Sequence, residues 1–100
     1  MSRIKVYQPL NPTFMVDESV EHYDPADFKK VWVREYPMAD LKNEADIEAL
    51  REAVFEWSNR GNKPEGWSGH SMSVGDIIDI NHTKFICCNF GWKQVEWKEA

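Results

Sequence analysis

Gly69-His70-Ser71-Met72-Ser73-Val74-Gly75-Asp76-Ile77-Ile78, followed by Lys84-Phe85-Ile86-Cys87-Cys88-Asn89-Phe90-Gly91-Trp92, is the stretch on which the reading of this fold turns. A polar loop of small residues feeds an apolar strand. Asn81-His82-Thr83 then turns the chain into a second strand that ends at a glycine kink. The hydroxyls of Ser71 and Ser73 can bond nearby backbone N–H groups and set the loop before the strand begins. Asp76 lies between apolar residues, where a carboxylate must face water or find a donor. With a last strand over 93–97, the predicted strands 74–80 and 84–90 form an antiparallel meander, because the connections between them are short.

Working outward, residues 4–8 alternate, with Ile4 and Val6 on one face and Lys5 and Tyr7 on the other. That is a strand, ended by Pro9 and Pro12. Residues 13–28 are irregular and acidic, with Phe14, Met15, Val20, Tyr23 and Phe28 scattered among the acids. Asp24-Pro25 marks a turn, and Pro25 can open a single helical turn that ends near Phe28. Residues 30–36 read as the second strand, with Val31, Val33 and Glu35 facing one way and Trp32, Arg34 and Tyr36 the other. Pro37 stops it. A helix is predicted over about 43–60: Asn43 is the N-cap, and Glu44 and Asp46 suit the positive end of its dipole. Ile47, Leu50, Val54 and Trp57 form its apolar stripe, Arg60 its last turn and Gly61 its C′ position. The expected class is therefore α+β. A small antiparallel sheet of about five strands, including the C-terminal meander, packs one face against this helix.

One hundred residues make a single domain, 1–100. The net charge of −5 disfavours generic phosphate binding, which wants a basic stripe. It fits a partner with a basic surface. The N-terminus lacks a signal-peptide pattern, and no apolar run approaches the ~20 residues of a membrane helix. The expectation is a soluble cytoplasmic protein without membrane contact. The two cysteines, Cys87 and Cys88, are strand neighbours whose side chains point to opposite faces, so they should remain reduced thiols.

His70, Ser71, Ser73 and Asp76 have the residue types of a base, nucleophiles and an orienting acid. Such groups usually converge from separate elements, and no strand–nucleophile–helix elbow surrounds these serines. A structural loop is the favoured reading. His22, His70, His82, Cys87 and Cys88 could contribute to a metal site, but the paired spacing of structural zinc ligands is missing. No glycine-rich phosphate loop is present. No metal, no cofactor and no catalytic residue is assigned.

Two binding features remain. Glu48, Glu52 and Glu56 line one helix face at four-residue spacing, with further acids over 17–27 and at Glu96 and Glu99. They are either simply solvated or presented to something basic. Of the five tryptophans, Trp32 and Trp57 suit the core, whereas Trp67, Trp92 and Trp97 fit core and contact surface equally well. Exposed tryptophans are frequent interface hot spots. An aromatic patch with an acidic rim would suit a basic protein better than a nucleic acid.

The run from Gly69 to Ile78 and the later Phe90-Gly91-Trp92-Lys93 resemble the YodL-like family of phages and mobile elements. So do the opening Ile4-Lys5-Val6-Tyr7-Gln8, His22-Tyr23-Asp24 and Val31-Trp32-Val33. The resemblance implies a module encoded by a phage or mobile element that acts in host takeover or counter-defence. The expectation is a non-enzymatic domain that inhibits a host protein, such as a CRISPR nuclease or restriction enzyme, by occlusion. Trp67, His70, Trp92, Trp97, Glu48, Glu52 and Glu56 are its candidate partner-binding residues, and no direct contact with nucleic acid is expected. The oligomeric state stays open. The alternatives are a nucleic-acid-associated regulator using Lys29, Lys30, Arg34, Arg51 and Arg60, and a small hydrolase-like enzyme using His70 and Asp76.

Overall fold

The computed structural model describes residues 2–11, 16–36, 44–61 and 63–98. In chain order the elements are β1 (Ser2–Pro9), β2 (His22–Tyr23), a 3-10 turn (Pro25–Asp27), β3 (Phe28–Tyr36), α1 (Glu44–Ser58), β4 (Ile77–Ile80), β5 (Thr83–Cys87) and β6 (Trp92–Trp97). They build an α+β fold around one sheet in the order β2-β6-β5-β4-β1-β3. The predicted meander is present as β4-β5-β6. β1 joins it to β3, pairing with β4 through Val6 opposite Ile78 and with β3 on its other side.

Among the described residues six strands form rather than five, and the sheet is mixed rather than purely antiparallel. The additional strand, β2, is two residues long and runs parallel to β6. A two-residue strand has no alternation to betray it, and its partner lies more than seventy positions away in sequence. The predicted single turn at Pro25 is present. Asp24 caps it by accepting a 2.9 Å bond from the Ala26 N–H.

Alternation along β1 buries Ser2, Ile4, Val6 and Gln8 on the helix side. There they join Val31, Trp32, Val54, Met72, Ile78 and Ile80, with Ile47, Leu50 and Trp57 packed against them. The opposite face is covered as well. Ile77, Ile86, Cys88 and Val95 lie there against Tyr7, Val16, Tyr23, Phe28 and Trp97. Because both faces are covered, β4 is buried at every position, and alternation could not show in it.

β3 departs from the expected facing of its side chains. Val6 pairs with Trp32 but Tyr7 pairs with Lys30, so Val31 is an extra, bulged residue. The bulge lets neighbours Val31 and Trp32 both enter the helix-side core, whereas Val33 is 42% exposed. Strict alternation had placed Val31 with Val33.

The helix ends earlier than predicted, at Ser58. Asn59 and Arg60 donate backbone bonds to Glu56 and Trp57, three residues back, which tightens the last turn. Gly61 lies outside the left-handed region, so it is not a C′ glycine. The Asn59 amide instead caps the Phe55 carbonyl at 2.8 Å. The predicted N-cap Asn43, and Pro12, Phe14, Met15, Pro37 and Glu99, lie outside the described residues.

Candidate functional site

The loop from Gly69 to Asp76 is held by a residue the sequence reading passed over. Gln8 continues the inward alternation of Ile4 and Val6, so its amide is fully buried and must be bonded. Its Nε2 donates to the His70 carbonyl at 2.8 Å and to Asp76 Oδ2 at 3.1 Å, and its Oε1 accepts from the His70 N–H at 3.2 Å. Gly69 makes this approach possible, since a Cβ there would stand 2.0 Å from Gln8 Oε1. Both Gln8 amide hydrogens are thus committed. His70 Nδ1, 2.7 Å from the Ser71 carbonyl, therefore carries the ring proton and donates it.

Asp76 is 1% exposed. Its Oδ2 also accepts from the Ser73 N–H at 3.0 Å, while Oδ1 is buried without a partner among the described residues. Burial pushes this carboxyl up to about 6, although the Ser73 N–H, the Gln8 amide and His70 pull the other way. Ser58, at the end of α1, accepts the Met72 N–H at 3.0 Å and ties the loop to the helix. His70 and Asp76 meet through Gln8. Among the described residues, no hydrogen bond links His70 to a serine hydroxyl.

The candidate residues fall into separate groups. Trp67 packs at a tilt of 42° on Trp32 with ring centroids 5.5 Å apart, and its indole N–H donates to the His70 carbonyl at 3.0 Å. Trp92 donates to Glu52 Oε1 at 3.0 Å and meets Phe55 edge-on at 6.1 Å. Arg51 lies over the rings of Phe85 and Trp92 at 5.0 and 5.3 Å. Trp97 belongs to the far face, packed on Tyr7 and Phe28. Below it Lys84 pairs with the buried Asp79 at 3.2 Å. The three half-buried tryptophans therefore do not share one patch. Glu48 and Glu52 are exposed on α1, and Glu56 pairs with Arg60 at 3.2 Å.

A different aromatic stands out. Phe90, at the tip of the β5–β6 hairpin, is 96% exposed. Its neighbours Asn89 and Gly91 line a cleft of about 210 Å³ together with Glu52, Phe55, Cys87, Cys88 and Trp92. Reading β5 through to residue 90 had hidden this tip. The signal was Asn89-Phe90-Gly91, an aromatic between two turn formers, with Gly91 at φ 84°.

Of the basic residues named for a nucleic-acid reading, Arg51 is stacked on aromatic rings, Arg60 is paired, and Lys29, Lys30 and Arg34 lie on β3. Cys87 and Cys88 are buried free thiols. Among the described residues, no cluster of three histidine, cysteine or acidic side chains could hold a metal ion. No helix among them is long and apolar enough to cross a membrane.

Comparison with known proteins agrees with the motif-level resemblance. Neither the curated proteins nor the solved structures gave a match. The YodL-like domain family matches residues 13–97. That span takes in the Gln8-clasped loop, the helix and the β4-β5-β6 meander, and leaves outside it β1 with the opening Ile4-Lys5-Val6-Tyr7-Gln8 of the resemblance. The chain belongs to the YodL-like domain family.

Proposed function

We propose that this chain is a non-enzymatic protein-binding module of a phage or mobile element. It acts in the bacterial cytoplasm by covering a surface of a host protein, such as a CRISPR nuclease or restriction enzyme. The observation that carries this reading is Phe90. A phenylalanine 96% exposed at a hairpin tip keeps a large apolar surface in water, which is more readily understood if a partner covers it. Beside it, Glu52 borders the cleft and Glu48 and Glu56 continue the acidic face of α1. That combination of one apolar anchor and an acidic flank suits a basic protein surface. An interface of standard size, ~800 Å² per partner, would be enough for occlusion.

The test is affinity capture of the tagged protein from bacterial lysate after nuclease treatment, read by mass spectrometry. The expected result is one host protein at near-stoichiometric level, lost when the bait carries Phe90→Ser. Recovery that vanishes with nuclease would favour a nucleic-acid partner. A captured protein indifferent to Phe90→Ser would remove the hairpin tip from the interface.

A further inference from the structure

The cleft beside Phe90 has a composition that specifies its occupant. Phe55, Trp92, Cys87, Cys88 and Glu52 line it together with Asn89 and Gly91. Glu52 supplies the charge, because burial pushes the Cys87 thiol up to about 11 and raises Cys88 as well, so both stay neutral. The bond from Trp92 Nε1 to Glu52 Oε1, 3.0 Å long, holds the carboxylate in place. No hydrogen bond engages Oε2 among the described residues. Arg51 is committed to the Phe85 and Trp92 rings and does not line the cleft.

We propose that this cleft is the receptor for an arginine side chain of the partner protein, with Phe90 packing on the surface around that arginine. The proposal rests on the binding-module reading above and names its recognition chemistry. The volume of about 210 Å³ is below the ~300–1,000 Å³ of typical small-molecule pockets and suits one long side chain. A guanidinium fits it in two ways at once. It can donate to the free oxygen of a carboxylate already oriented, and it can lie against the aromatic walls. Glu48 extends the acidic face on the same helix and the whole chain carries −5, although Glu56 is paired with Arg60 and the Arg51 guanidinium already lies over Trp92.

The experiment titrates ¹⁵N-labelled protein with acetyl-Gly-Arg-Gly-amide and follows the indole N–H of Trp92, identified by its loss in Trp92→Phe. A saturable shift is expected, with weak, millimolar affinity for so small a probe. The same peptide carrying citrulline, neutral and nearly isosteric, should bind at least about tenfold more weakly, as expected when a charge-assisted bond is removed. Glu52→Gln should weaken arginine binding similarly while its amide oxygen still accepts from Trp92. No saturable shift, or equal affinity for the citrulline peptide, overturns the proposal using the unmodified protein alone. Equal affinity in a folded Glu52→Gln variant overturns it too. Host-protein capture that depends on Phe90, together with a failed titration, would leave the binding module standing and discard the arginine receptor. A successful titration without capture would keep the arginine site and count against a host protein as the source of that arginine.

Discussion

At Asp76 a carboxylate is buried to 1%, with one oxygen bonded and the other without a partner among the described residues. Its pKa rises from 3.8 to about 6 in the fold, so the folded state holds a proton more tightly than the unfolded chain does. The contribution to stability is therefore fully present below about pH 4 and is lost as pH rises through about 6. At ~1.4 kcal/mol per pKa unit, the difference across that window is about 3 kcal/mol. Asp76→Asn removes this titration and keeps a carbonyl oxygen for the Gln8 and Ser73 donors. Urea melts from pH 4 to pH 7 should show the wild type losing stability relative to the variant as pH rises. Parallel curves would show that Asp76 is ionised in the fold at little cost. The sequence reading had already flagged Asp76 as a carboxylate in need of a donor. One donor, the Ser73 N–H, is local, but the other could not be read there, because Gln8 lies 68 positions away.

At the scale of elements, the turn between β4 and β5 is tighter than the expected Asn81-His82-Thr83. Ile80 pairs with Thr83, leaving a two-residue turn with Asn81 at φ 52° and His82 at φ 75°. Two positive φ values match the twist of the flanking strands, and the second position favours glycine. Asn81 is retained by its contacts: its side chain accepts from the Arg3 N–H at 2.9 Å and donates to the Ser2 hydroxyl at 3.2 Å. Among the described residues His82 contributes only its backbone N–H, to Asp79 at 2.8 Å, so its side chain is not needed for that bond. His82→Gly should therefore raise Tm by about 2–4 °C, relieving left-handed strain at a smaller cost in chain entropy. A lower Tm would mean that the imidazole contributes more than its turn geometry suggests. The same hairpin logic places the β5–β6 tip at residues 88–91, where the Cys88 N–H bonds the Gly91 carbonyl at 2.9 Å.

For the whole molecule, the consequence of a sheet covered on both faces is that its aromatic residues are divided between two cores. Trp67 supports the helix-side core and Trp97 the far one. As contact-surface residues, the sequence's alternative to the core for Trp67, Trp92 and Trp97, these side chains would leave the melting temperature nearly unchanged on truncation. The packing predicts instead that Trp67→Ala and Trp97→Ala each cost roughly 2–4 kcal/mol, a little below the cost of a fully buried indole. Urea unfolding measures this directly, and unchanged midpoints would return both side chains to the contact surface. Phe90, bare at the hairpin tip, is the residue expected to leave stability unaltered on truncation.

The sequence alone determined the local elements whose signals are local: the β4-β5-β6 meander, the Pro25 turn, the amphipathic helix and the inward pair Ile4 and Val6. It also carried the family through its loop-and-strand motif. Tertiary structure decided what depends on distant partners. The Val31 bulge exists because β1 and β3 pair out of step, and β2 exists because β6 offers it an edge. Gln8 became the clasp of the Gly69–Asp76 loop because the end of β1 lies beneath that loop. Periodicity records which way a side chain faces, but not which distant residue meets it there. For that reason the candidate tryptophans were legible as a class, while their division between two cores, and the exposure of Phe90, required the folded chain.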